Sequence, residues 1–381
     1  MNATRFSAVA VLALCAACAD VTDSVGPSVT NAALSRVAGG IGVVDLGTLG
    51  GNNSHALGLN TPSAGRRLLV VGDAQNPAGQ TTASYWYFDV ASGVASGGVA
   101  LSTADDMQST AYGANESEQI AGGSYTKVTS GGVTTYPSRA VRWTTSGAVG
   151  TLLGNLGGSY TQASAINTLG EIVGQSTTAD GQMRPFRWNP SPAPAGTLTD
   201  LGFFSGVDIQ AQDRNASGTI VGAVRSTAAT LQTAFVWRSS VGLVLLPDLG
   251  APPAGDGIVS YATGVNDAGV IVGFVNTASF GLRAVRWNLA ADGTTYVVEN
   301  LGLGAGSQAN DINNAGEIVG THRATRSNGG FYLAGSTLKE LPALSGSARP
   351  IRINENGDVV GFSNVRNGYT HAVVWTHVRT P

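Results

Sequence analysis

Apolar residues in this chain return in short bursts, each after the same polar prelude. "INNAGEIVG" (312–320) runs apolar residue, asparagine, two arbitrary residues, glycine, one polar residue, then Ile-Val-Gly. Near-copies stand at 166–174, 214–222, 265–273 and 353–361, with looser ones at 59–72 and 114–122. An asparagine can cap a tight turn with its own side chain, and a glycine three residues later can take the positive φ that closes a four-residue loop. Each copy therefore predicts a β-hairpin, with one strand ending at the asparagine and the next carrying Ile-Val-Gly.

Two further landmarks keep step with the first. Leu-Gly motifs such as "DLGTLGG" (from Asp45) and "LLGNLGG" (from Leu152) lie about fifteen residues ahead of the asparagine. After Ile-Val-Gly come strands ending at Trp143, Trp188, Trp237, Trp287 and Trp375, with Trp86 at the matching place in the first unit and Tyr332 or a neighbour in the sixth. In these strands Phe186 and Trp188, or Phe235 and Trp237, are two apart and share a face, which should pack one unit against the next. The ruler asparagines are Asn60, Asn115, Asn167, Asn215, Asn266, Asn313 and Asn354, so there are seven units averaging about 50 residues. That period predicts an all-β, seven-bladed β-propeller of four-stranded antiparallel blades over 41–381. Only "THVRTP" follows Trp375, so the last unit lacks its Leu-Gly strand, and "VVDLG" (43–47) is the missing piece. The N-terminal strand should complete the last blade and hide two strand edges. The alternative, an open β-solenoid, would want capping units at its ends.

These residues resemble a known family. "DLGTLGGNNSHALGLN", "AINTLGEIVGQS" and "THAVVW" are similar to the HAF repeat of bacterial extracellular proteins, over about 43–381. Only His371 and Ala372 keep the His-Ala pair, with Val373 where the family has phenylalanine. The resemblance implies secretion and repetition and supplies no catalytic residues.

Composition fits short strands and tight turns: charged residues are 12% of 381, and 53 residues are glycine. A net charge of −3 gives no reason to expect a nucleic-acid partner. Arg5 and the apolar run Phe6 to Leu14 make a secretory signal too short to span a bilayer. Cleavage before Cys18 would give a lipid-anchored cysteine, with Cys15 where a lipoprotein box usually has leucine; cleavage after Ala19 would give a free chain. We read 1–18 as signal peptide and 19–40 as a flexible linker. The protein is then secreted or held in the cell envelope, at the outer surface or in the periplasm, with membrane contact only through its anchor.

Catalytic chemistry is thinly marked. The four histidines are spread over three units, outside any nucleophile motif. No metal-binding spacing occurs, and Ala104–Asp106 and Asn354–Asp358 read as solvated turns, so neither cofactor nor metal is expected. Arg139 with Arg142, Arg184 with Arg187, and Arg283 with Arg286 recur three apart; we read them as pairing with aspartates of the Leu-Gly strands or with backbone carbonyls, and as an alternative they would face an acidic ligand. In up-and-down blades the variable loops after Ile-Val-Gly and after Leu-Gly share one face, where function commonly resides. The candidate ligand-binding residues there are Tyr125, Tyr136, Tyr160, Phe204, Arg323, Arg326, Arg366 and Tyr369. The reading is a monomeric, non-catalytic binding module for a glycan or a surface protein. Alternatives are a carbohydrate-active hydrolase or lyase with its carboxylates at the channel mouth, and a structural surface protein.

Overall fold

The computed structural model describes residues 40–378 except 64, 66, 103–107, 127, 131, 148, 192–195, 203–206, 227–231, 251–258, 279–280, 324–327 and 377. The signal and Cys18, nearly all of the linker, Phe204, Arg326, Ala104–Asp106 and His377 lie outside the described residues. The described fold is all-β, antiparallel and β-propeller-like.

A middle unit shows the plan. Val207–Arg214, Ile220–Ser226, Gln232–Arg238 and Gly242–Leu245 form one four-stranded sheet in that order. The strand ending at the asparagine is thus paired only on its Ile-Val-Gly side within the sheet. Ser260–Val265 to Tyr296–Asn300 and Gln308–Ile312 to Thr337–Leu341 repeat the plan. In the last sheet Ala348–Ile353, Val359–Asn364 and Thr370–Thr376 take as fourth strand Gly42–Asp45, from the other end of the chain. The register sets Val43 opposite Trp375 and Val44 opposite Val374.

Two sheets depart from the plan. In the first unit the fourth strand is replaced by two fragments, Val94–Ala95 and Val99–Ala100, both paired with Thr81–Asp89. The second and third units are joined by a parallel bridge from Ser138 to Tyr160, giving an eight-stranded sheet. In the sixth unit the register place of tryptophan, opposite the isoleucine of Ile-Val-Gly, belongs to Leu333 and not to Tyr332. Tyr332 is buried one residue earlier and its hydroxyl donates to Glu317 at 2.7 Å.

Burial follows the aromatic pattern. Seven apolar clusters form among the described residues, each built from two units. Phe186 and Trp188 pack on Ala121, Ala140 and Leu153 of the preceding unit. Val44, Val360, Ala372 and Val374 pack on Leu68, Trp86 and Phe88, joining the two ends of the chain.

The glycine of Ile-Val-Gly has a steric cause. In every unit the asparagine strand slips register just before its end, at Ala56/Gly58, Ala111/Gly113, Ala163/Ala165, Ala211/Asp213, Ala262/Gly264, Ala309/Asp311 and Pro350/Arg352. The bulge drives a backbone carbonyl against the facing glycine. A Cβ at Gly72, Gly122, Gly174, Gly222, Gly273, Gly320 or Gly361 would lie 1.8–2.1 Å from that oxygen.

Candidate functional site

Each bulge ends on a residue at the same place in its unit. These stand two before each ruler asparagine: Gly58, Gly113, Ala165, Asp213, Gly264, Asp311 and Arg352. All but Gly264 line a central cavity of about 280 Å³, which extends to the Asn-turns and draws residues from all seven units.

The turns at its mouth are stitched together. Five of the ruler asparagines work twice; Asn115 Oδ1, for example, accepts from the backbone N–H of Ser117 and of Gln119, capping its own loop. Asparagine Nδ2 donates to the carbonyl of the next ruler asparagine, from Asn115 to Asn167, Asn215 to Asn266, Asn266 to Asn313 and Asn313 to Asn354, at 2.9–3.1 Å. Asn354 Nδ2 donates to the carbonyl of Asn60 at 2.8 Å. Where the third unit meets the fourth, Arg214 Nη1 instead reaches Glu171 at 2.8 Å. A parallel set runs through the following residue: Ala216 N–H donates to Asp267, Asp267 N–H to Asn314, Asn314 N–H to Glu355, and Thr61 N–H to Glu116. The turn glycines, with φ of 77–83°, hold the loops in the left-handed region, and Glu118 does so at 57° where the second unit has no glycine.

Charge inside the cavity is lopsided. Gly58, Gly113 and Ala165 leave one wall bare, while Asp213, Asp311 and Arg352 occupy the other. Asp311 is only 7% exposed; its Oδ2 accepts from Ile353 N–H at 2.9 Å, and its Oδ1 is 3.7 Å from Arg352 Nη1, longer than a hydrogen bond. Burial pushes the Asp311 carboxyl up to about 7, Arg352 opposes that rise and Asp213 adds to it. Asp213 is likewise raised by burial, against the pull of Arg352 and the N–H of Val265. Among the described residues no three metal-ligating side chains gather.

A tyrosine and glutamine network adjoins the cavity through Tyr112, whose hydroxyl accepts from Gln162 Nε2 at 2.8 Å. Tyr160 donates to Gln162 Oε1 at 2.6 Å and accepts from Gln175 Nε2 at 3.3 Å. Tyr261 donates to Gln210 at 3.4 Å. Burial raises all four of Tyr112, Tyr125, Tyr160 and Tyr261, so these hydroxyls stay protonated.

Of the sequence-selected residues, the structure brings Tyr125 and Tyr160 together in this network. Tyr136 is 64% exposed on the segment before Ser138–Thr144, Arg323 is exposed at the end of Ile318–Arg323, and Arg366 and Tyr369 share the loop before Thr370. None of them lines the cavity. Of the recurrent arginines, Arg184 pairs with Asp200 at 2.8 Å, as the sequence suggests; Arg286 instead holds a glutamate, Glu299, through two bonds of 2.7 and 2.9 Å. Two histidines remote in sequence meet at the seam between chain ends. His371 Nδ1 lies 2.8 Å from Asp45, and His55 bridges Asp73 at 2.8 Å and the Thr370 hydroxyl at 3.0 Å. That hydroxyl is also 3.1 Å from Asn53 Oδ1, to which it can donate, and Phe362 stands edge-on to the imidazole, so the group ties strands together. Sequence reasoning missed Asp213, Asp311 and Arg352; aligning the units on their asparagines exposes them as the charged members of an otherwise small-residue column.

No family model and no curated protein matches the chain. Among solved structures it is similar to a prolyl endopeptidase (10% identity, TM-score 0.50, covering 87% of this chain and 54% of that one). It is also similar to an acylaminoacyl peptidase from Pyrococcus horikoshii (10%, 0.48, 84% and 51%) and to TolB from Acinetobacter baumannii (14%, 0.44, 74% and 65%). The chain spans about half to two thirds of these proteins' lengths, and at such identity the likeness is one of fold alone.

Proposed function

We propose that this chain is a secreted or lipid-anchored, HAF-type seven-bladed β-propeller that acts as a non-catalytic extracellular binding module for a glycan or a protein. The wheel is supported by the pairing of Gly42–Asp45 with Thr370–Thr376 and by the Asn354 to Asn60 bond, which repeats across the chain ends the link made inside it. A Val44→Cys/Val374→Cys pair tests it: oxidation of the purified protein should give a disulfide-closed circle, seen as a faster band on a non-reducing gel, and no crosslink would sink the closure.

The observation that carries the binding role is the central cavity, to which every unit contributes. Rigid strands hold its charged wall, as a preformed ligand site requires. Ala216 lies exposed at its mouth. Glycan-array signals that vanish in Ala216→Trp would support ligand entry there. Signals that persist would move the site to the loop face, and a silent array with the native chain counts against the glycan reading.

A second reading follows from Asp213 and Asp311 sharing one cavity. A raised carboxyl beside another carboxylate is the equipment of glycoside cleavage, one acting as general acid and the other as base or nucleophile. A hydrolase panel showing turnover abolished in Asp311→Asn would favour it over simple binding.

A further inference from the structure

The cavity's chemistry narrows the ligand, on the premise that this cavity is the binding site. Its lining carries five carboxylates against two guanidiniums. One guanidinium, Arg214, is spent on Glu171, which lies outside the lining. Arg352 is left to face Asp213 and Asp311 from one side, and it also reaches the Thr263 carbonyl at 3.5 Å. A second observation points the same way. Glu116 gives Oε1 to the Thr61 N–H, while its Oε2 is buried with no hydrogen-bond partner among the described residues. Glu116 Oε2 lacks a hydrogen-bond partner, and nine-tenths-buried Asp311, which accepts from the Ile353 N–H on Oδ2, has no cationic group among the described residues nearer than the 3.7 Å contact of Arg352. Neutral hydroxyls could supply hydrogen bonds there but would leave the excess negative charge inside; a cation supplies both. Tyr112 adds an aromatic ring to the same lining, a further partner for a cation. The bare wall at Gly58, Gly113 and Ala165 provides room for a chain to enter, and about 280 Å³ suits a single small group.

We propose that the central cavity is a recognition pocket for a primary alkylammonium group, seated against the Asp213–Asp311 wall. The amine belongs either to an amino sugar or to a lysine side chain; the pocket chemistry is the same for both.

The test is calorimetric titration of the purified chain at pH 8 with 5-aminopentanol and with 1,5-pentanediol, which differ only in the cationic end. Aminopentanol should bind at least about tenfold tighter than the diol, and Asp311→Asn should weaken it by about tenfold or more. Ala216→Trp, which adds bulk at an exposed mouth position, should abolish binding without disturbing the core. Equal binding of the two alcohols overturns the ammonium site while leaving the module reading intact. Aminopentanol binding that survives Ala216→Trp, or no binding of either compound, also overturns it. A glucosamine oligomer and a lysine-containing pentapeptide, run against the same variants, identify the source: whichever competes with aminopentanol carries the natural group.

Discussion

Gly273→Ala should be among the most damaging methyl additions in the protein. The new Cβ would sit 1.9 Å from the Tyr261 carbonyl oxygen, with the Ala262 Cα and the Tyr261 carbonyl carbon each at 3.0 Å. Neither neighbour can rotate away, because both belong to the bulged strand and not to a side chain. One strand must therefore yield by about 1 Å, and overpacking of that kind costs about 1–3 kcal/mol, with a backbone obstacle placing it near 3 kcal/mol. Gly269→Ala supplies the contrast four residues earlier. Its φ is +78° and its Cβ would meet nothing within 4 Å, so only backbone strain of about 1 kcal/mol applies. Urea unfolding followed by the fluorescence of the buried tryptophans measures both, provided the slopes match. The expected difference is about 2 kcal/mol. If Gly273→Ala proves no more costly than Gly269→Ala, the bulge does not press on the Ile-Val-Gly strand and the steric account of the repeat fails.

Asn266→Ala removes both a turn cap to Val270 N–H and the donor to Asn313, so it should cost about 2 kcal/mol in the same assay, against about 1 kcal/mol for a single neutral hydrogen bond; a loss under that would show the inter-unit bond idle. Glu118 pairs left-handed strain with useful bonds to the Tyr87 and Thr145 hydroxyls. Glu118→Gly should therefore be about 1 kcal/mol more stable than Glu118→Ala, which loses the bonds and keeps the strain; equal stabilities would refute this. Asp311 gives the pH dependence: its folded carboxyl is raised by burial from 3.8 to about 7, so the folded chain holds the proton more tightly than the unfolded one. Its contribution to stability is thus greatest below about pH 4 and is lost as pH rises to about 7. Asp311→Asn should gain stability over the native chain at pH 8 relative to pH 5, whereas parallel urea midpoints would show that Asp311 ionises freely.

The repeat was legible because its period is written in large, buried or conformationally special residues. Asn-x-x-Gly declares a turn, and tryptophan declares the strand that packs on the next unit, as Trp188 does on Ala121 and Leu153. The complementary ends were legible for the same reason, since Val43 to Gly47 repeats a motif that the last unit lacks. The site was not. Asp213, Asp311 and Arg352 lie in three different units, and only the shared bulge turns them inward, a feature that leaves no local sequence mark beyond the glycine opposite. The pairing of His55 with Thr370 is equally invisible, because it spans the whole chain and depends on register at a seam. Glu118 in a glycine's place shows the converse, a local rule overridden because its side chain finds partners in Tyr87 and Thr145.

The bond from Asn354 to Asn60 is chemically the same as those between neighbours along the chain. To these turns, the seam between the two chain ends is like any other junction between units that carries this bond. New termini cut at another exposed loop, with the old ones joined, should leave these asparagine links in place, and the sense in which the amides point would carry across the junction unchanged.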